Sequence, residues 1–317
     1  VRRYLAFGEV LAADVELDYL AAPMEDGRLE ATVTLRRADV AMRPPESYTR
    51  VHAEPDFEGG PVLEIWMSPD ATCLVWIAYA GWRVSLDARA GEILYHHEGE
   101  EPGLVPLATV CERVLIPFCL LLDPARSLFA LHGGALVMGG KAWVLIGESG
   151  AGKSTSALAL VGEGAKILAD DMALVDVEAR LVLPGAPTLR LWRDALVGAV
   201  RSAPIQGTDQ KHWFHLGEAA GEEAPVELGG VIVLTPDPLA ATTGELARME
   251  GLEAMTCLLA NGFDLEHAPR TMQAARVKRA RHLLEQVPVW RCRYARDPGG
   301  EPLQTRGILE LIEGSQP

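Results

Sequence analysis

Gly147-Glu148-Ser149-Gly150-Ala151-Gly152-Lys153-Ser154 is the stretch on which the reading of this chain turns. It fills every fixed position of the phosphate-binding pattern G-x-x-x-x-G-K-[ST]. Before it, Ala142-Trp143-Val144-Leu145-Ile146 is an apolar run of strand length. After it, Thr155-Ser156-Ala157-Leu158-Ala159-Leu160-Val161 reads as the opening of a helix. Strand, glycine-rich loop and helix in that order are the context the motif requires. The glycines let backbone N–H groups turn inward around phosphate oxygens, and the helix N-terminus adds partial positive charge. In this reading Lys153 reaches the β- and γ-phosphates of ATP and the Ser154 hydroxyl ligates Mg²⁺. The candidate nucleotide-binding residues are Gly147, Ser149, Gly150, Ala151, Gly152, Lys153, Ser154 and Thr155. The alternative is a glycine-rich turn with no ligand.

Two further stretches flank the loop. Ile167-Leu168-Ala169-Asp170-Asp171 is a short apolar strand ending in two carboxylates, one helix and one turn after Lys153. That distance lets it pair beside the loop's own strand. One Asp at such a strand end can hold Mg²⁺, and a second can take the proton from an attacking hydroxyl. Upstream, Leu131-His132-Gly133-Gly134-Ala135-Leu136-Val137 predicts a strand in a hairpin with 141–146 through Met138-Gly139-Gly140. A His before two glycines points to a close backbone approach. By itself, His132 reads as a packed or hydrogen-bonded histidine.

The order His132-Gly133, hairpin, Gly147 to Ser154, Leu168-Ala169-Asp170-Asp171 resembles the core of the HPr kinase/phosphorylase family. The resemblance spans residues 127–195. It implies the phosphoenolpyruvate-carboxykinase-like P-loop fold and phosphoryl transfer to a serine hydroxyl. It also implies Asp170 as the base, with Asp171 and His132 supporting the phosphoryl group or its acceptor, and Ser154 and Asp171 as Mg²⁺ ligands. That family carries a later Glu followed by Arg-Gly, linked to its phosphorylase activity. Here Pro187-Thr188-Leu189-Arg190-Leu191-Trp192 has neither that Glu nor that Gly, which weighs against phosphorylase activity and against HPr as acceptor. The chain looks more like the divergent relatives found with ribosomally made peptides, such as lasso-peptide kinases acting on a precursor's C-terminal serine. Residues 184–192 and 287–294 carry that second likeness. Related enzymes suggest self-association.

Composition sets outer bounds. The chain has 317 residues, 49% hydrophobic and 23% charged, with net charge −15. That is an ordinary globular composition with ample core, on the scale of two domains. The acidic balance argues against general nucleic-acid binding, which needs a basic surface. Cys73, Cys111, Cys119, Cys257 and Cys292 lack metal-ligand spacing and read as reduced thiols of a cytoplasmic protein. No signal peptide is visible, and no apolar run reaches the length of about 18 residues that would span a membrane.

The fold class expected is α/β in the mixed, α+β sense: an HPr-kinase-like P-loop domain at 104–317 behind a β-rich domain at 1–103. In the first domain, short runs at 29–35, 62–67, 73–79, 82–87 and 91–95 alternate with turn residues and predict a small antiparallel sheet or barrel. His96 and His97 read as an exposed turn, and the domain as a scaffold or a peptide-recognition edge. Residues 106–122 predict a helix broken near Pro117. Beyond the Asp pair, 173–177 and 180–184 predict a hairpin, and Arg190 falls in a strand where it could contact phosphate or an acceptor carboxylate. Residues 201–224 read as a polar loop holding Lys211 and His212. A central strand is expected at 228–234, helices at 244–259 (capped by Thr243), 269–286 and 305–313, and a last strand at 287–294. The sum is an ATP- and Mg²⁺-dependent serine kinase for a peptide or small protein. The rivals are a small-molecule kinase, acting for example on free serine, and a non-catalytic nucleotide-binding regulator.

Overall fold

The computed structural model describes residues 1–7, 9–14, 17, 30–38, 43–55, 61–69, 74–79, 82–87, 90–97, 120–121, 126–185, 188–192, 206–207, 211–215, 224–240, 243–263, 270–296, 302 and 304–315. They fall into two compact units: Val1–Leu128 with Asp264–Arg276, and Phe129–Phe263 with Val277–Pro317. The expected domain boundary at 103–104 and nearly all of the expected 106–122 helix lie outside the described residues; Leu120 and Leu121 are helical.

The first unit is one eight-stranded sheet. Its strands are β1 (Arg2–Ala6), β2 (Glu9–Ala13), β3 (Val33–Arg37), β4 (Thr49–Pro55), β5 (Pro61–Met67), β6 (Leu74–Tyr79), β7 (Trp82–Asp87) and β8 (Glu92–His97). They lie in the order β1-β2-β3-β8-β7-β6-β5-β4. β4 to β8 form an antiparallel meander, while β3 pairs parallel with both β2 and β8. The sheet is therefore mixed, and its order has two ends where a barrel would close. Val84, Leu86, Ile93 and Tyr95 are buried, while Arg83, Ser85 and Leu94 are only half-covered. This is the period-two signature of a sheet with one face packed. The alternation stops at His96 and His97, which are both half-buried and belong to β8, not to a turn.

The second unit is built on a sheet of eight strands. These are β9 (Leu128–Met138), β10 (Lys141–Ile146), β11 (Lys166–Ala169), β12 (Met172–Asp176), β13 (Leu181–Leu183), β17 (Val226–Pro236), β18 (Glu245–Met249) and β19 (Val289–Tyr294). β14 (Thr188–Trp192), β15 (Gln206–Gly207) and β16 (Lys211–His215) form a separate three-stranded sheet. The helices are α1 (Lys153–Gly162), α2 (Gly251–Ala260), α3 (Arg270–Gln286) and α4 (Thr305–Gly314). This is a mixed α+β architecture.

β10 sits between β9, antiparallel, and β17, parallel. Its alternation sends Ala142, Val144 and Ile146 to a core with Ala254 and Leu258 of α2 and Ala280 and Leu283 of α3. Trp143 and Leu145 go to a second core with Ala157 and Leu160 of α1 and Ile308 and Ile312 of α4. Helices thus cover both faces, and β10 reads as one continuous apolar run because both of its faces are buried. The β9–β10 hairpin turns at Gly139 and Gly140, with φ of 62° and 75°. Two successive left-handed residues are what a tight hairpin requires.

The expected hairpin after the Asp pair is β12–β13, and β17 is internal to the sheet, as expected. Two secondary-structure expectations fail in this unit. Residues 245–249 form β18, not the first turns of a helix capped by Thr243, because they pair along the open edge of β19. The helix starts only at Gly251. Lys211 and His212 are not in a loop: they lie in β16, paired with Trp192 and Leu191 of β14. In both places tertiary pairing decides what local propensity does not.

Candidate functional site

The glycine-rich stretch forms the predicted loop between β10 and α1. Gly147, Gly150 and Gly152 have φ of 144°, 79° and 77°, which only glycine adopts without strain. A Cβ on Gly147 would stand 2.7 Å from Leu234 O. Gly152 is the N-cap of α1 and supplies no side-chain cap, and the first backbone bond back into the helix is Ser156 N–H to Gly152 O, at 2.8 Å. No side-chain cap competes at this helix N-terminus, a place where an anion can be taken up. Lys153 Nζ donates to Gly147 O at 2.7 Å and Glu148 O at 3.2 Å, folding the ammonium back over the loop.

At its far end, α1 closes in a Schellman motif. Ala165 N–H donates to Leu160 O and Gly164 N–H to Val161 O, both at 3.0 Å, and Gly164 has φ of 94°. This turns the chain into β11. β11 does not lie beside β10, as the spacing predicted, since β9 and β17 occupy both edges of that strand. It pairs with β9 instead, with a register shift between Ile167 and Ala169. The shift is a bulge, and bulges re-aim side chains. Asp170 and Asp171 follow directly. Met172 N–H donates to Asp170 O at 2.8 Å across Asp171, whose φ is 67°. That is a γ-turn with a non-glycine residue at positive φ, a strained conformation. Asp171 O accepts from Gly133 N–H at 3.1 Å, which carries the pairing with β9 past the break.

β9 thereby joins the three motifs. Gly133 is paired with Ile146, so His132 lies across from the start of the loop. A Cβ on Gly133 would stand 2.2 Å from Leu145 O, and one on Gly134 would stand 3.9 Å from Asp170 Oδ1. The two glycines mark the close backbone approach expected of them. His132 is exposed, and Lys153, Ser154, Thr155, Asp170 and Asp171 are half-buried. Ser149 and Gly150 are exposed and Ala151 is buried. The loop, His132 and the Asp pair thus meet at one end of the sheet. Arg190 lies on β14, in the small sheet that touches α1, and its side chain is outside the described residues.

Sequence reasoning missed three residues around the loop. Asn261, just past α2, accepts from Gly147 N–H through Oδ1 at 3.1 Å and from His132 N–H through its backbone O at 2.7 Å. Its Nδ2 is fixed on Cys257 O at 2.9 Å. Asn261 therefore ties the loop's start, through its side chain, to the His132 strand, through its backbone. Tyr294 and Arg296, at the end of β19, hydrogen-bond the carbonyls of Ala151 and Gly150. Burial pushes the Tyr294 phenol above its ordinary range, against the pull of Arg296. An Asn, a Tyr and an Arg more than a hundred residues from the motif carry no local signal.

No protein-family model matches this chain, and no curated protein does. Among solved structures it is similar to the Hpr(Ser) kinase/phosphatase from Coxiella burnetii, at 13% identity and a TM-score of 0.30. The likeness covers 58% of this chain and 95% of that one. At that level the reading of the site rests on the site's own geometry. Among the described residues no helix is long and apolar enough to cross a membrane.

Proposed function

We propose that this chain is an ATP- and Mg²⁺-dependent kinase that phosphorylates a serine hydroxyl of a peptide or small protein. The observation that carries the reading is the strained Asp170–Asp171 corner, which follows the register shift of β11 and is held on β9 at the same sheet end as the loop. A protein that only binds nucleotide has no need of a carboxylate pair there.

The residues fit the groups they would hold. Among the described residues no cluster of three His, Cys, Asp or Glu side chains forms a metal cage. That suits Mg²⁺, which is bound by one or two protein groups together with substrate phosphates. Ser154 and Asp171 would be those protein groups. When bound, the ion would offset the charge of the phosphates. Lys153 leaves the loop carbonyls to stabilise charge on the transferred group. Asp170 accepts the acceptor hydroxyl's proton on its carboxylate, and His132 orients the acceptor or the γ-phosphate. Phosphoryl transfer asks mainly for positioning and electrostatics, so this short set suffices. The sequence likeness over residues 127–195 supports serine as the acceptor, and the second likeness, at 184–192 and 287–294, favours the C-terminal serine of a ribosomally made precursor peptide.

The test is γ-phosphoryl transfer from labelled Mg-ATP, read by mass spectrometry. The acceptors are peptides ending in serine, free serine and an HPr-type protein, with Lys153→Ala as control. A Lys153-dependent gain of one phosphate on the peptides is expected. Transfer to free serine alone would move the reading to a small-molecule kinase. ATP binding without transfer to any of the three would move it to a nucleotide-binding regulator.

A further inference from the structure

Two side chains from the end of β19 hold the second half of the loop by its carbonyls. Tyr294 Oη donates to Ala151 O at 2.5 Å, and Arg296 Nη2 donates to Gly150 O at 2.8 Å. Tyr294 and Ala151 are both buried, whereas Arg296, Glu148, Ser149 and Gly150 are exposed. A Cβ on Gly152 would stand 3.4 Å from Tyr294 Oη and 3.5 Å from Gln304 Nε2, so the loop is closely seated on this wall. Gln304 is itself fixed by donating to Ser156 Oγ at 2.8 Å.

A trans peptide is planar and points its C=O and the following N–H in opposite directions. No peptide bond among the described residues is cis. Holding Ala151 O on the buried phenol therefore turns Gly152 N–H the other way, toward the loop's exposed side. An anion needs N–H groups on that side. Glycine at 152 is permissive about rotation of this peptide, so something outside the loop must fix it.

We infer that Tyr294 is a positioning residue for phosphate binding: by accepting no substrate contact itself and fixing the Ala151–Gly152 peptide, it presents the Gly152 N–H to the phosphates. Arg296 holds the preceding peptide by Gly150 O at the exposed rim, where Ala151 N–H closes a turn on Glu148 O at 3.0 Å, so it acts by steadying the loop. The inference rests on the phosphate-loop reading above. It adds that the loop's anion affinity is set by a buried phenol on a distant strand.

The test uses the full chain, titrated calorimetrically with Mg-ATP, with inorganic triphosphate plus Mg²⁺, and with adenosine. Tyr294→Phe is expected to weaken ATP and triphosphate alike, by about tenfold, with adenosine unchanged. Arg296→Ala, at an exposed position, is expected to retain the wild-type melting temperature and lose about threefold on the same two ligands. Equal affinities of Tyr294→Phe and wild type for triphosphate would overturn the proposal while leaving the loop reading intact. A proportionate loss of adenosine binding would also overturn it, since general loosening would then explain the effect. Should Tyr294→Phe fail to fold, unchanged triphosphate binding by Arg296→Ala would overturn carbonyl fixing from β19. If wild-type ATP binding is absent, or unaffected by Lys153→Ala, the loop reading itself falls and the proposal falls with it.

Discussion

At the scale of single residues, the proposed site would separate binding from chemistry. Lys153→Ala is expected to abolish transfer in the mass-spectrometric assay. Asp170→Asn retains its shape and its place beside Gly134, so it should bind Mg-ATP as wild type does and lose about 10²–10⁴-fold in turnover, the range for removing a general base. Wild-type turnover in either variant would remove the assignment. Gly147→Ala meets both a φ of 144° and the Leu234 carbonyl at 2.7 Å, and is expected to lose ATP binding and melting temperature together. Asn261→Ala strands the Gly147 N–H, while the bond from His132 N–H to the backbone carbonyl at position 261 remains. An unsatisfied buried donor costs about 1–3 kcal/mol, so a loss of about tenfold in ATP affinity is expected by titration calorimetry. The strand, glycine loop and helix around Lys153 and Ser154 were legible in the sequence because the motif is contiguous and each position answers to one local demand. Asn261 was not, because its role is fixed by where α2 ends in space.

At the scale of elements, what was legible follows the range of the interactions. The β9–β10 hairpin, α1 and the β12–β13 hairpin depend on neighbours within a few residues, and the sequence pattern predicts all three. The partner of β11 depends on both edges of β10 being filled, one of them by β17 more than eighty residues later, and no local pattern carries that. β18 was read as helix for the same reason: Glu245–Met249 takes its conformation from the edge of β19. The core at this scale is testable through Leu160, which is fully buried in α1 between the loop and the Schellman turn. Leu160→Ala is expected to cost about 2–5 kcal/mol in denaturant unfolding. A cost below about 1 kcal/mol, where surface substitutions fall, would mean that α1 does not seat the loop by packing.

At the scale of the whole molecule, stability has a predictable alkaline limit. Burial pushes the Cys292 thiol from 9.0 up to about 12 and raises Tyr294 and Cys257 in the same direction. Above the ordinary thiol range the unfolded chain releases these protons and the folded chain retains them. Folding is therefore favoured below about pH 9 and loses that contribution as pH rises toward about 12. Melting temperatures recorded across that window should fall, and Cys292 should resist alkylation until the second unit unfolds. A Cys292 alkylated as fast as a free thiol in native buffer would contradict its burial. The contact between Tyr294 and Ala151 spans 143 positions of the chain. During synthesis the whole phosphate motif therefore leaves the ribosome long before the phenol that aims it exists. On the proposed reading, a nascent or truncated chain ending short of Tyr294 carries the full motif without the residue that would aim it, and ATP binding is expected only once β19 has been made.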